Sequence, residues 1–180
     1  MQDREIEKTS SEVVYQNKWM RVREDRIVRA DGSRGIYGVV EKPDFAVVAA
    51  VDGGCIHLVE QFRYPVGARF WELPQGSWER SELDPRVLAA AELREETGLV
   101  ARSMIHAGHL LLACGFSDQG YDVFFATDLQ RRDTRLDPEE QGLVSRAFPV
   151  AEFEKMIGGG VIQDATTVAA YALLRLKGFL

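Results

Sequence analysis

Cysteine is scarce in this 180-residue chain, which contains only Cys55 and Cys114. Neither has a neighbour at the spacing of a metal-ligand pair. We therefore expect both to be buried thiols in a reducing cytoplasm. Long apolar runs are also lacking, and the polar start of the chain has no secretory pattern, so no membrane partner is expected.

Positive charge is in short supply as well. The chain has 22 lysines and arginines against 28 aspartates and glutamates, a net charge of −6. This balance argues against a nucleic-acid polymer as partner. A small anionic substrate remains compatible with it, because a bound metal and a few arginines act locally. The hydrophobic content of 46% is typical of an ordinary globular domain with a sizeable core.

Histidine occurs three times, and no histidine has a sequence partner that indicates a catalytic triad or a zinc site. They are His57, His106 and His109. Four large aromatic side chains are expected mostly in the core, with stacking on a nucleotide base as the alternative for one of them. They are Trp19, Trp71, Trp78 and Tyr64.

Extended segments alternate with helical ones along the chain. Three strands are predicted in the first 44 residues, at 12–15, 20–29 and 36–41, with Asp31–Gly32 as a turn. Further strands are predicted at 45–51, 55–61, 105–113, 121–128 and 143–148, and helices at 85–97, 151–157 and 165–177. This order indicates a mixed β-sheet covered by helices on both faces. We therefore divide the chain into an N-terminal strand extension, 1–44, and a main α/β domain, 45–180.

Three glutamates, Glu92, Glu95 and Glu96, fall within one arc of the predicted helix 85–97, because each residue advances about 100°. Their charges repel unless a cation lies among them. Carboxylate oxygens suit Mg²⁺ or Mn²⁺ held against a phosphorylated substrate. The alternative is an ordinary solvated charged face.

The ends and the other arc of this helix favour a docked position. Asp84 is a good N-cap, and Gly98 suits a left-handed cap at the end. The other arc carries Ala89, Ala90 and Leu93, which are small or apolar and are expected to pack against the sheet.

A wider frame around the glutamates resembles the signature of the Nudix hydrolases. The matching residues are Gly76, Glu82, Glu92, Leu93, Glu95, Glu96, Gly98 and Leu99. The chain departs from the signature in two ways. One extra residue lies between Glu82 and the Ala91–Glu92 pair, in the turn Leu83–Pro85, and Ala91 stands where the family has an arginine that braces the catalytic loop. Our hypothesis is that Arg80, Arg86 or Arg94 compensates for it.

The flanks of this frame resemble one Nudix subgroup, the ADP-ribose pyrophosphatases and related nucleoside diphosphate sugar hydrolases. That subgroup has a Gln-aromatic-Arg segment, here Gln61-Phe62-Arg63, and then Trp-Glu-Leu-Pro-Ala-Gly, here Trp71 to Gly76 with Gln75 in place of the alanine. The resemblance implies a Nudix α/β/α sandwich. It also implies that the N-terminal strands form an arm of a homodimer.

The same resemblance implies roles for individual residues. Arg63 and Glu72 would bind the substrate, with Arg63 clamping the pyrophosphate through its fork of donors. The alternative for Arg63 is a surface ion pair with Glu72 or Glu60. Phe116 and Ser117, in a loop similar to the Ser-Pro-Gly-Phe-Ser-Asp-Glu loop of the subgroup, would border the substrate. The alternative for that loop is an ordinary turn between strands.

The implied chemistry is hydrolysis of a pyrophosphate bond with Mg²⁺ or Mn²⁺ as cofactor. The metal ligands would be Glu92, Glu95, Glu96 and the carbonyl of Gln75. Glu95, and Glu139 or Glu140 in the acidic segment 130–142, would act in catalysis, the last two as base or as a further ligand. The expected substrate is ADP-ribose, giving AMP and ribose 5-phosphate. The alternatives are GDP-mannose or another nucleotide sugar, or a Nudix-like module that senses nucleotides without hydrolysing them.

Overall fold

The computed structural model describes residues 5–77, 84–132 and 142–180. The chain divides into two compact units. The first combines residues 1–44 with 111–120, and the second combines 45–110 with 121–180. Within the described ranges no helix is long and apolar enough to cross a membrane.

The first unit is built on a three-stranded antiparallel sheet. Its strands, in spatial order, are β1 (Ile6–Gln16), β2 (Arg21–Arg29) and β3 (Arg34–Glu41). The predicted turn at Asp31–Gly32 is confirmed, since Gly32 has a φ of 81° and the Asp31 carboxylate accepts a hydrogen bond from the Ser33 amide at 2.9 Å. β1 begins at Ile6, six residues before the prediction, because its polar first half is held by backbone pairing to β2 and not by a buried face.

The segment 111–120 also belongs to the first unit and lies along the free edge of β3. The Val40 amide donates to the Phe116 carbonyl at 2.8 Å, and the Ser117 hydroxyl donates to the Val40 carbonyl at 2.7 Å. The Tyr37 hydroxyl donates to the Gly115 carbonyl at 3.0 Å. These bonds cover part of an edge that would otherwise present unpaired backbone groups.

The second unit contains the main sheet, which is mixed as predicted. Its strands are β4 (Phe45–Asp52), β5 (Cys55–Arg63), β6 (Ala68–Glu72), β7 (Gln75–Gly76), β8 (Leu99–Leu111), β9 (Gly120–Arg131) and β10 (Val144–Pro149). The spatial order is β10-β5-β4-β9-β8, with β6 beside β5 and β7 beside β4. β4 runs parallel to β9 and antiparallel to β5 and β7.

Helices cover both faces of this sheet, which confirms the predicted sandwich. They are α1 (Pro85–Thr97), α2 (Val150–Gly158) and α3 (Ala165–Leu176), with a short 3₁₀ turn at Tyr64–Val66. β4 shows the division directly, since its side chains alternate between the faces. Val47 and Ala49 pack with Phe153 of α2 and Leu174 of α3. Ala46, Val48 and Ala50 pack with Leu88, Ala89 and Leu93 of α1.

Some expectations about individual side chains are wrong. Ala90 is exposed, and Leu88 is buried on the docked arc of α1 instead. Cys114 is exposed and Cys55 is half-buried, so neither is a fully buried thiol. Trp19 and Tyr64 are 54% and 86% exposed, so they are not core aromatics. Trp78 lies outside the described residues.

Candidate active site

The helix that carries the three glutamates begins and ends as the sequence predicts. The Asp84 carboxylate accepts a hydrogen bond from the Arg86 amide at 2.8 Å, and Pro85 occupies the first turn. Gly98 closes the helix with a φ of 69°, and its amide donates to the Arg94 carbonyl at 2.9 Å. These caps fix the register of α1 and therefore which of its side chains reach the sheet.

The glutamate arc of α1 is largely buried. Glu92 and Glu96 are 6% and 2% exposed, and Glu95 is half-buried. Arg94, on the outer side, is exposed. Burial of this kind does not fit a solvated charged face, because ionised carboxylates are taken out of water only where donors or cations stabilise them.

Gly76 is the residue against which the Glu92 carboxylate packs. A Cβ built on Gly76 would lie 2.4 Å from the Glu92 carboxylate carbon and from both of its oxygens. Gly76 belongs to the two-residue strand β7, which pairs with β4 at Ala46 and Val47. A glycine is therefore required here by the close approach of a carboxylate, and not by an unusual backbone conformation.

Glu96 contacts the neighbouring residue of the same turn. Its Oε2 accepts a hydrogen bond from the Gln75 amide at 3.1 Å. Glu92 and Glu96 thus approach two consecutive residues of β7, and Glu95 lies beside them on the helix. All three glutamates also make further interactions inside the molecule.

This donor set fits a hard divalent cation. Mg²⁺ is commonly bound through one or two carboxylates together with substrate phosphates and water, and not by a cage made of protein alone. Within the part of the chain that the structure describes, no group of three or more His, Cys, Asp or Glu side chains is close enough to hold a metal without further ligands. Glu82, Glu139 and Glu140 lie outside the described residues.

Arg63, at the end of β5, forms an ion pair with Glu72 of β6. Its Nε lies 2.9 and 3.2 Å from the two Glu72 oxygens, and its Nη2 also donates to Oε2. Glu72 is 2% exposed, whereas 41% of the Arg63 side chain is exposed. Glu60 pairs instead with Arg69 at 2.9 Å. Arg63 therefore does pair with Glu72, whose carboxylate is buried, while the Arg63 side chain stays partly exposed.

The charge of Arg63 is secured by its surroundings. The hydrogen bonds that Arg63 donates to Glu72 raise the pKa of Arg63, and the negative charges of Glu72, Asp164 and Glu96 raise it further, while burial opposes them. Within the described ranges, the hydrogen bonds of this guanidinium to other side chains use Nε and Nη2 and all go to Glu72. Nη1 makes no hydrogen bond to a side chain within these ranges.

Two side chains near this pair were not predicted as parts of the site: that of Gln75, whose carbonyl alone was predicted as a metal ligand, and that of Asp164. The Gln75 side chain donates from Nε2 to Glu72 at 2.8 Å and lies 3.4 Å from Asp164. Asp164 caps α3, accepting from the amide and the hydroxyl of Thr167 at 2.8 and 2.7 Å. The sequence signal that was available is three polar residues, Asp164, Thr166 and Thr167, at the start of an otherwise apolar helix.

The other predicted site residues are placed as follows. Phe116 is 57% exposed and Ser117 is 7% exposed, both in the loop of the first unit along β3. Ala91, which replaces the signature arginine, is half-buried on α1. Arg86 donates to the Met104 carbonyl at 2.5 Å and so ties the first turn of α1 to β8. Arg80 lies outside the described residues.

Two of the three histidines lie beside the same carboxylate. His106 Nε2 lies 2.7 Å and His109 Nδ1 3.5 Å from the same oxygen of Asp122. His57 is different, because burial and the nearby Arg131 lower its pKa.

Two family models match consecutive parts of the chain. Residues 6–40 match the nucleoside diphosphate sugar hydrolase N-terminal domain, and residues 41–171 match the NUDIX domain. The second match covers well over half of the chain.

Individual proteins are similar over nearly the whole length. An ADP-ribose pyrophosphatase of Mycobacterium tuberculosis is 33% identical over 94% of this chain and 83% of its own. An ADP-ribose pyrophosphatase of Bacillus subtilis and a methanol dehydrogenase activator of Bacillus methanolicus are each 29% identical, over 95% of this chain and 94% of theirs. The crystal structure of an ADP compounds hydrolase has a TM-score of 0.86 and covers 98% of each chain at 17% identity, which shows the fold. With its glutamate helix, its glycine turn and a family match over 41–171, the chain belongs to the Nudix family and is a Nudix hydrolase.

Proposed function

We propose that the chain hydrolyses the pyrophosphate bond of a nucleoside diphosphate linked to a sugar or sugar phosphate, with ADP-ribose as substrate and AMP and ribose 5-phosphate as products. The observation that carries the proposal is the approach of two buried carboxylates, Glu92 and Glu96, to the turn Gln75–Gly76. The names of two relatives and the match of residues 6–40 support the substrate class.

Mg²⁺ or Mn²⁺ is the proposed cofactor, held by Glu92, Glu95, Glu96 and the carbonyl of Gln75. When bound, such an ion lowers the pKa of a water molecule and neutralises phosphate charge. The burial of Glu92 and Glu96 keeps their oxygens in fixed positions. Because these carboxylates and a substrate phosphate are both negative, the phosphate can bind beside them only when a cation lies between them.

Arg63 is the proposed pyrophosphate ligand. Glu72 holds one side of the guanidinium, which leaves the solvent-facing side to donate to phosphate oxygens. A lysine would offer a point charge without this fork, so arginine suits the role better. Phe116 and Ser117 are proposed to border the sugar or the base.

Glu95, and Glu139 or Glu140, are the proposed proton acceptors or water-positioning groups. A carboxylate within hydrogen-bond reach of the attacking water serves as a general base when its pKa lies below the working pH. Glu139 and Glu140 belong to the segment 133–141, outside the described residues, so their part in the proposal rests on the family resemblance.

We further propose that the chain is a cytoplasmic homodimer in which the N-terminal strand extension, 1–44, serves as an arm and 45–180 forms the hydrolase domain. β1 is exposed along its whole length, and four of its apolar side chains are about half exposed. These are Ile6, Val13, Val14 and Tyr15. Both cysteines are free thiols, which is compatible with a reducing compartment.

The experiment is a substrate panel with the purified chain and Mg²⁺. ADP-ribose, GDP-mannose, UDP-glucose and a diadenosine polyphosphate are compared at equal concentration, with products separated by chromatography. ADP-ribose is expected to give the highest kcat/KM, with AMP and ribose 5-phosphate in equal amounts. Faster turnover of GDP-mannose would transfer the proposal to the nucleotide-sugar alternative. Binding of ADP-ribose without turnover would support the sensing module and contradict the enzyme.

A further inference from the structure

The turn Leu73–Gly76 is the segment on which the whole candidate site depends. The Gln75 amide donates to Glu96, and Gly76 packs against Glu92. The backbone of the turn is also hydrogen-bonded to β4 and to α3. The Val48 amide of β4 donates to the Pro74 carbonyl at 2.9 Å, and the Leu73 amide donates to the Thr167 hydroxyl of α3 at 2.9 Å.

The side chain of Gln75 closes this arrangement into a ring. Its Nε2 carries two hydrogens, which point to Glu72 at 2.8 Å and to Asp164 at 3.4 Å. Asp164 in turn accepts from Thr167, whose hydroxyl oxygen accepts from the Leu73 amide. One amide thus lies between two carboxylates that would otherwise face each other with like charge.

Two members of the ring are buried and therefore sensitive to a missing partner, whereas Gln75 and Asp164 are half-buried. Glu72 and Thr167 are 2% and 0% exposed. When a buried carboxylate loses a hydrogen-bond donor, no water molecule replaces that donor, and the carboxylate is left unsatisfied. Buried polar networks of this kind fix one geometry when all members are satisfied.

The ring also supplies contacts to the turn that the side chain of Ala91 cannot make. Ala91 has no polar side chain with which to brace the catalytic turn, and Arg86 is engaged with Met104 on β8. Gln75 itself stands where the similar subgroup segment has alanine, which has no donors. Besides the contacts from α1 and β4, the turn has contacts to α3, through Asp164 and Thr167.

We propose that the side chain of Gln75 is a positioning residue of the reaction. It joins the buried Glu72 carboxylate to the Asp164–Thr167 cap of α3, and so holds Arg63 in the orientation in which its open side receives the pyrophosphate. The inference rests on the proposed function, because Arg63 is taken as the pyrophosphate ligand. The role is exerted through Glu72, since Gln75 donates to the same Oε2 that accepts from Arg63 Nη2.

The test compares Gln75→Met, which keeps length and removes the donors, with the wild type on ADP-ribose. KM is expected to rise roughly tenfold, as for loss of a hydrogen bond to a charged group, while kcat stays within about twofold. The Mg²⁺ concentration for half-maximal activity should not change, because the backbone contacts of the turn remain. Gln130→Met is the matched control. Gln130 is half-buried on β9 with its amide beside Arg102. The KM of the Gln130→Met variant should equal that of the wild type.

A double-mutant cycle shows whether Gln75 acts through Arg63. In an Arg63→Ala background, Gln75→Met should add less than about twofold to KM, because the group that it positions is already gone. An equal rise in both backgrounds, or a loss of thermal stability with unchanged kinetic constants, would overturn the positioning role. A wild type that does not hydrolyse ADP-ribose contradicts the proposed function. A wild type that does, beside a Gln75→Met variant with unchanged KM, contradicts only the role of Gln75.

Discussion

At the scale of single residues, the site depends on the absence of a side chain as much as on those present. Gly76 leaves room for the Glu92 carboxylate, and a methyl group in its place would overlap all three carboxylate atoms. The overlapping atoms are the far end of a flexible side chain, so the protein can relieve the clash by moving Glu92. A substitution at Gly76 should therefore lower the catalytic rate more than it lowers the stability of the fold.

We predict that Gly76→Ala lowers kcat roughly 100-fold, since displacement of a catalytic group by about 1 Å has an effect of that size. The melting temperature should fall by less than about 4 °C. Gly158→Ala, at the end of α2 with nothing within 4 Å of the new Cβ, is the matched control and should keep full activity. Steady-state kinetics and thermal melting check both. Full activity in Gly76→Ala would contradict the contact.

The sequence predicted the glutamates of the site but not the contacts to α3 that hold the turn Leu73–Gly76 beside them. Glu92, Glu95 and Glu96 follow one another on a single helix, so local spacing was sufficient. The bond between Gln75 and Asp164 joins residues 89 positions apart, and that between Leu73 and Thr167 joins residues 94 apart. Contacts at such separation depend on how α3 packs on the sheet, which no local pattern encodes.

At the scale of elements, strong end signals explain which boundaries were predictable. α1 runs from Pro85 to Thr97 as predicted, because an aspartate cap with proline begins it and a left-handed glycine ends it. β7 was missed, since a two-residue strand is too short to show alternation. β8 was predicted to begin at 105, but it begins at Leu99, directly after the cap glycine of α1. Sheet pairing decides that boundary, and local propensity does not.

The N-cap of α1 gives a prediction at this scale. Asp84→Ala should lower the free energy of unfolding by about 1 kcal/mol, the usual cost of losing a side-chain cap. The value of kcat should change less than about twofold, because the glutamates lie in the last two turns of the helix. Urea unfolding followed by circular dichroism measures the loss. Asp84→Asn keeps a capping oxygen and should unfold like the wild type, whereas an equal loss in both variants would contradict the cap.

At the scale of the whole molecule, the first unit presents a strand whose side chains are not covered. β1 is an edge strand of 11 residues with every residue exposed, and Val14 is 57% exposed. Long exposed edge strands with apolar side chains are uncommon unless another chain covers them. This is the physical argument for the proposed homodimer, in addition to the family resemblance.

We predict that sedimentation at micromolar concentration gives twice the chain mass of 20.2 kDa. Val14→Asp should shift the equilibrium towards the monomer, because it buries a charge in the interface. Val161→Asp changes a valine of similar exposure, 54%, outside the N-terminal strands and should leave the mass unchanged. A wild-type monomer at this concentration would contradict the homodimer.

The buried carboxylates of α1 are the groups on which the proposed metal-dependent hydrolysis depends. The most direct measurement is the turnover of ADP-ribose by Glu96→Gln at saturating Mg²⁺, beside Glu152→Gln on the exposed side of α2 as control. We predict that kcat of Glu96→Gln falls at least about 100-fold, whereas kcat of the control is unchanged. A fall of this size corresponds to the several kcal/mol that a bound metal contributes to stabilising the transition state. Wild-type turnover by a folded Glu96→Gln would contradict this prediction.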